Sequence, residues 1–398
     1  MSIIILLHAN DLVKKSELLE TVDKKFPEIL QTASELVRIP SRNPPGEEKR
    51  CAEYIYSRLK EFGLETHLVN EPYSNRPQVV AIARGKNENT IILNGHIDTV
   101  PEGDPESWSM DPFSGNVKDD LLYGRGSVDM KSALAIMMHV AEFTEMNGNI
   151  LLTFAVGEER AEPGTLTLLS YVKKFNLNIK YGLVLEPTEL NVASCQKGGA
   201  WFKIKLKGRA SHASAPDQGI NAIEMASKVM QAINDYGIFI AKRKHRLADP
   251  PTCTVTMISG GFKENVIPDK CELVIDRRLV PGESSSLVEQ ELRSYIDRLQ
   301  LDYELEKIGS REPVEIDDSS AIANAVLDAT SEVTGANVSI VCFPGATDNE
   351  HLVANGIQSL VWGPGNLNKA HAIDECININ EIKRGTVTLA LLLNRLLV

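Results

Sequence analysis

Seven side chains scattered along the sequence are of the types that bind a divalent metal and move a proton: His96, Asp98, Asp129, Glu158, Glu159, Glu186 and His371. Two imidazoles and several carboxylates, with no thiolate, suit zinc, cobalt or manganese. The carboxylates outnumber what one tetrahedral ion uses, so the set supports a pair of ions with one carboxylate bridging them. Taken singly, each residue has an ordinary reading. Asp129 could be a helix N-cap, either histidine a hydrogen-bonded surface group, and Glu158-Glu159 a solvated turn. Those readings are independent of one another and leave the shared placement of the residues unexplained.

That placement follows from the elements around them. Short, dense apolar runs of the length and β-branched content of buried strands occur at Val79–Ala83, Thr90–Leu93, Ile150–Val156, Leu183–Leu185 and Ser359–Trp362. Four of them lead into the chemistry-bearing groups. Ile91–Gly95 delivers His96 and then Asp98; Leu151–Gly157 delivers Glu158-Glu159; Leu183–Leu185 delivers Glu186; Leu360–Trp362 leads through Gly363-Pro364-Gly365 to His371. Asp129 follows Tyr123-Gly124-Arg125-Gly126-Ser127 and is expected to open a helix reaching Met146. In open α/β sheets the ligand crevice lies beyond the carboxyl ends of the strands, so these groups are expected to converge in space.

Further helices are expected at Thr165–Lys174, at Ser319–Thr334 and from Asn380 to the end. Two more lie within Thr21–Leu64, parted by the proline-rich Ile39–Gly46 turn. The alternation of strand and helix gives an α/β fold with a largely parallel sheet. Between Ala200 and about Arg311 the pattern becomes β-α-β-β-α-β: Trp201–Lys207, Asn221–Tyr236, Thr252–Ile258, Cys271–Leu279, Ser286–Leu299 and Leu301–Ile308. That order is the ferredoxin-like α+β unit. We therefore expect a catalytic α/β domain, residues 1–199 and 313–398, interrupted by an inserted domain, residues 200–312.

The chain has 398 residues, Lys+Arg 42 against Asp+Glu 54, and a formal net charge of −12; it is 43% hydrophobic and 24% charged. At roughly 100–200 residues per domain, two or three domains are expected. An acidic chain whose one basic run is Lys242–Arg246 argues against nucleic-acid and anionic-membrane partners, because phosphate binding needs a basic face. Six cysteines without a CxxC spacing read as reduced thiols. The apolar Ile3–Leu7 run lacks the basic flank and cleavage site of a secretory signal, and no stretch approaches a membrane span. The location expected is cytoplasmic.

The segments Gly95–Pro101, Gly124–Lys131, Gly157-Glu158-Glu159, Glu186-Pro187-Thr188 and Ala370-His371 closely resemble the dimetal peptidase and deacylase family of acetylornithine deacetylases, succinyl-diaminopimelate desuccinylases, aminoacylases and carboxypeptidase G-type enzymes. The resemblance runs from about Ile39 to the C-terminus. It implies two divalent ions, zinc first with cobalt or manganese as alternatives. One would be held by His96 and Glu186, the other by Glu159 and His371, with Asp129 bridging both. Asp98 would be the carboxylate that orients His96, and Glu158 the general base that passes a proton from the attacking water to the leaving amine. The peptide joining Asp129 and Met130 is expected to be cis.

The same resemblance assigns roles to the inserted domain, which would act as a lid and join two copies of the chain into a homodimer. His212, in Gly208–Pro216, corresponds to the histidine that donates to the oxyanion, usually from the partner subunit. Asn265 and Arg278 correspond to groups that grip the substrate carboxylate, although Arg278 could instead pair with Asp276. Gly345 and Thr347, in Pro344–Asp348, correspond to a substrate-lining loop.

The implied activity is hydrolysis of an N-acylated amino acid, with cleavage of a short peptide as a dipeptidase or carboxypeptidase the nearest alternative. A metal-binding member without catalysis is the third, and Glu158 argues against it. No Gly-x-Ser-x-Gly elbow or paired cysteine offers a rival nucleophile. Departures from family subgroups leave the substrate open: Cys195–Gly199 replaces an arginine pair, and Asn349-Glu350-His351 replaces a small residue and Arg. His351 reads first as a helix-surface residue, and His8, His67, His139 and His245 have no motif around them.

Overall fold

The computed structural model describes residues 2–144 and 146–397, with side chains from residue 16 onward. The Ile3–Leu7 run and His8 therefore lie outside the described side chains. Two compact units emerge: Met1–Ser194 with Ile316–Val341 and Thr347–Val398, and Cys195–Glu315 with Cys342–Ala346.

The first unit is built on a mixed sheet in which Glu65–Val69, Gln78–Ala83, Asn149–Ala155, Asn89–His96, Asn178–Val184 and Gln358–Val361 lie side by side in that order. The last four are mutually parallel; Gln78–Ala83 runs antiparallel to Asn149–Ala155, and Glu65–Val69 antiparallel to Gln78–Ala83. Every residue of Asn149–Ala155 is buried, as a central parallel strand covered on both faces requires. The register sets His96 beside Ala155, and Val184 beside both Asn94 and Val361. All four parallel strands thus end at one sheet edge, where the chain turns into the groups expected to act.

Helices Ser2–Val37, Ser132–Phe143, Ala321–Thr334 and Ile379–Leu396 pack in a contiguous set around a core that includes Ile29, Leu36, Ile136, Met137, Leu389 and Leu392. The first helix runs through Pro27 and starts well before the Thr21 expected. Packing supplies what the missing proline N–H removes. Helix starts follow their capping residues: the Ser320 hydroxyl accepts Ala323 N, and the Asn378 side chain accepts Asn380 N.

The second unit is a four-stranded antiparallel sheet in the order Thr252–Gly260, Lys270–Leu279, Gly198–Lys207, Tyr303–Arg311. Helices Ala222–Ile240 and Ser285–Asp297 pack on each other and on Phe202, Ile204, Leu273 and Ile275. Strand order 2-3-1-4 with two helices is the ferredoxin-like arrangement.

Candidate metal centre

His96 closes its strand, Glu158 and Glu159 begin the short turn Glu158–Arg160, Glu186 stands two residues past Val184, and His371 lies in the loop after Leu367–Lys369. Asp129 is the hub. Its Oδ1 lies 3.0 Å from His96 Nε2 and its Oδ2 3.3 Å from His371 Nε2. The same nitrogen of His96 is 3.6 Å from Glu186 Oε1, and that of His371 is 3.0 Å from Glu159 Oε1. Two trios result, His96–Asp129–Glu186 and Asp129–Glu159–His371, each with ligand atoms within 4.8 Å of one another. They share Asp129 and contain no lysine or arginine, so nitrogen and oxygen donors of a kind that suits divalent cations face each other directly.

Local backbone geometry aims these side chains. Asp129 does not open a helix as expected: it is extended at φ −123°, ψ 95°, Met130 follows at φ −132°, and the regular helix begins at Ser132. The peptide between Asp129 and Met130 is cis. The N–H groups of Val128 and Asp129 are taken by the Glu375 carboxylate, at 2.9 and 3.2 Å, rather than by a preceding turn. Gly157 precedes the glutamate pair at φ +83°, where a Cβ would come within 2.6 Å of Glu162 Cβ.

Asp98 meets His96 through its main chain as well as its charge. The His96 Nδ1–H donates to the main-chain carbonyl of Asp98 at 2.9 Å, whereas the carboxylate stands 3.7 Å away. With Nδ1 so engaged, Nε2 faces Asp129 and Glu186: protonated, it donates to Asp129 Oδ1 at 3.0 Å, and on losing that proton it would be the nitrogen free to bind a divalent ion. The carboxylate instead accepts the N–H of Gly157 (2.9 Å), Glu158 (3.3 Å) and Glu159 (3.2 Å), and the Asn43 amide (3.1 Å).

Electrostatics reflect crowded acids. Burial pushes the Glu186 carboxyl well above its ordinary range, with Asp129 adding to it, and burial also raises Glu159. Burial opposes charge on His96, yet Glu186, Asp129 and Asp98 together raise its pKa well above the ordinary value. His371, hydrogen-bonded to Asp129 and Glu159, is pushed up to about 10. Burial would raise Asp129, but the two imidazoles hold it below the carboxylate range. Without metal, protons on the histidines do the work of cations.

Residues 92–395 match the profile of peptidase family M20/M25/M40. The chain belongs to this family. Over 372 residues it is 25% identical to the succinyl-diaminopimelate desuccinylase of Marinobacter nauticus, across 89% of this chain and 94% of that one. The M20 family metallo-carboxypeptidase Sso-CP2 from Sulfolobus solfataricus aligns with TM-score 0.78 at 19% identity, covering 93% of this chain and all of the other. Human carnosine dipeptidase 1 aligns at 0.76 and 18%, over 96% and 98% of the two chains. Bacillus subtilis YXEP, a dinuclear metal binding peptidase from M20 family, aligns at 0.68 and 16%, over 94% and 99%. This M20 chain is thus a hydrolase acting on amides, with a fold shared across those enzymes.

His212, in the second unit, is exposed; its Nδ1 accepts Ser214 N at 3.1 Å, which puts the proton of the neutral ring on Nε2. Asn265 is exposed, and its main-chain carbonyl accepts Ala213 N at 3.0 Å, tying its backbone to the His212 loop. Arg278 is engaged by Asp276, Nε to Oδ1 at 2.8 Å and Nη2 to Oδ2 at 3.0 Å, the pairing that the two-residue spacing on one strand face allows. Gly345 lies in the bend after Ile340–Phe343. Thr347, in the first unit, is buried, and its hydroxyl accepts Asn349 N at 3.1 Å, so it stabilises a helix start. His351 is no helix-surface residue: its ring is mostly buried, 3.8 Å from Asp348 and 3.6 Å from Glu350.

Sequence reasoning missed Glu375 and Arg125, both buried and paired at 2.7 Å. The available signal was a second acid, Asp374-Glu375, just after His371. It also missed Arg76, which pairs with the fully buried Glu48 and, at 2.8 Å, with Glu162 behind the Glu158-Glu159 turn. A third cluster, Glu28–His139–Glu142, already holds a cation in Lys25, whose Nζ lies 3.1 Å from Glu28 and 2.9 Å from Glu142.

Proposed function

We propose that this M20 hydrolase removes the acyl group from N-acylated amino acids, with a succinyl or acetyl amide as the substrate class. The observation that carries the reading is the division of Asp129 between two histidines, with Glu158 next in sequence to Glu159. His96 and Glu186 would hold one divalent ion and Glu159 and His371 the other, with Asp129 shared between them; zinc is the first candidate, then cobalt or manganese. Bound there, the pair supplies an acidified water and an electrophile for the amide carbonyl.

The chain's own groups do the rest. Glu158 takes the proton of the attacking water and delivers it to the departing amine nitrogen. Asp98 fixes the Glu158 and Glu159 main chain, and its carbonyl fixes the His96 tautomer. As the family resemblance implies, His212, usually that of the partner subunit, donates through Nε2 to the oxygen that gains charge, with Asn265 and Arg278 gripping the substrate carboxylate once Arg278 exchanges Asp276 for it, and Gly345 and Thr347 lining the substrate. The unit Cys195–Glu315 serves as lid and dimerisation domain. Its edge strand Thr252–Gly260 exposes Met257 and Ile258, with Phe262 beyond, an apolar and unpaired edge suited to a second copy of the chain. A cytoplasmic location is supported by six free cysteines; among the described residues no helix is long and apolar enough to cross a membrane.

The test is hydrolysis of N-succinyl-diaminopimelate, N-acetyl-amino acids and dipeptides by metal-stripped protein restored with zinc, cobalt or manganese. Metal-dependent release from an N-acyl amino acid is expected; cleavage of dipeptides alone would reassign the enzyme as a peptidase.

A further inference from the structure

Glu375 is a fully buried carboxylate with every contact spoken for. Oε2 accepts from Arg125 Nη1 at 2.7 Å, while Oε1 accepts the N–H groups of Val128 at 2.9 Å and Asp129 at 3.2 Å. Its own carbonyl accepts Gly124 N at 2.9 Å, and the next residues, Cys376–Asn378, pair antiparallel with Leu121–Tyr123. Arg125 in turn reaches the carbonyl of His371 with Nη2 at 3.4 Å and is stacked over the Trp108 ring at 5.1 Å. The loop that carries Asp129 and the loop that carries His371 are therefore joined by one buried ion pair with a hydrogen bond into each.

We propose that Glu375, acting with Arg125, is the positioning residue that fixes the separation of Asp129 and His371 and so the affinity of the chain for its divalent ions. Two features make this more than packing. Asp129 is extended, so its N–H and that of Val128 have no helical acceptor, and the carboxylate of Glu375 is the group that holds that extended turn in place. His371 sits at φ +61°, a conformation that a non-glycine residue keeps only when its surroundings impose it, and Arg125 is bonded to its carbonyl. A charge-assisted pair out of water is directional and resists exchange with solvent, which suits it to holding two ligand arms at a set distance.

The inference rests on the ligand assignment proposed above, and the experiment separates the two. Cobalt(II) is titrated into the metal-free full-length protein, with visible absorption and chelator competition as readouts. Wild type is expected to take two equivalents, and His371→Ala to lose one; if His371→Ala keeps both, the ligand assignment fails. Glu375→Gln keeps the length and the Oε1 acceptor but gives up the charge, and Glu375→Asp keeps the charge but is one methylene short. Each is expected to weaken cobalt binding by about 10–100-fold and to alter the cobalt spectrum at saturation. Circular dichroism identifies the folded variants, and Glu375→Asp, the milder change, carries the test if Glu375→Gln does not fold. A folded variant of either kind that binds both equivalents with wild-type affinity and an unchanged spectrum, beside a His371→Ala that loses one, overturns the positioning role alone.

Discussion

The carboxylate of Asp98 accepts the main-chain N–H of Glu158, 3.3 Å from its Oδ1, while the N–H of Glu159 lies 3.2 Å from its Oδ2. One acid thus steadies the proposed general base and a proposed ligand through their backbones. Asp98→Ala strips the acceptor from three N–H groups and the Asn43 amide at once. A buried donor left without a partner costs about 1–3 kcal/mol. We expect urea unfolding of the metal-free variant to shift by at least one such amount, and turnover to fall by about 10–100-fold. Unchanged kcat with full stability would remove Asp98 from this role.

Glu158→Ala should separate chemistry from binding. Both cobalt equivalents should remain, because Glu158 belongs to neither trio. Hydrolysis should drop by about 10²–10⁴-fold, the usual worth of a positioned general base. Equilibrium dialysis and single-turnover hydrolysis on the same sample check both halves.

His212→Ala is expected to lower kcat by about 10²–10³-fold, as loss of an oxyanion donor does. His212→Gln, which keeps an N–H donor, should recover part of that loss. A defect confined to KM would assign His212 to substrate binding instead.

Acidity links metal and stability. In the metal-free protein His371 is pushed up to about 10 by Asp129 and Glu159, and His96 is raised by its acidic neighbours. A raised folded-state pKa adds stability that is complete below the unfolded value, near 6.5 for histidine, and is lost as pH climbs through the folded value. The melting temperature of the metal-free chain should therefore fall between about pH 7 and 10, and His371→Ala should flatten that slope. Cobalt binding at neutral pH should release protons, so its affinity should weaken as pH drops. Titration calorimetry in buffers of different ionisation enthalpy counts the protons.

Much of this site could be read in the sequence because buried parallel strands leave short apolar runs whose ends are visible. Ile91–Gly95 before His96 and Leu183–Leu185 before Glu186 are such runs, and the parallel register turned their shared ending into proximity. The Asp129 turn could not be read in that way. Local propensity favours a helix there, and the acceptor that overrides it, Glu375, is 246 positions away. Arg278 shows the opposite case, since its partner Asp276 is two residues earlier on the same strand face and was visible as an alternative. The sequence around Thr347 reads as an open loop, but burial and the helix start at Asn349 engage its hydroxyl.

The strand order of the first unit also dictates a timetable. Asn89–His96, Asn149–Ala155 and Asn178–Val184 are adjacent in space and made early, whereas their neighbour Gln358–Val361 arrives only after the whole inserted unit has been synthesised. His96 and Glu186 can be brought together from the first half of a nascent chain; Asp129, whose turn waits for Glu375, and His371 cannot. Such non-local closure is slow and comes last. A growing chain would thus carry the sheet edge that bears His96, Glu159 and Glu186 well before the loop that sets Asp129 and His371 had left the ribosome.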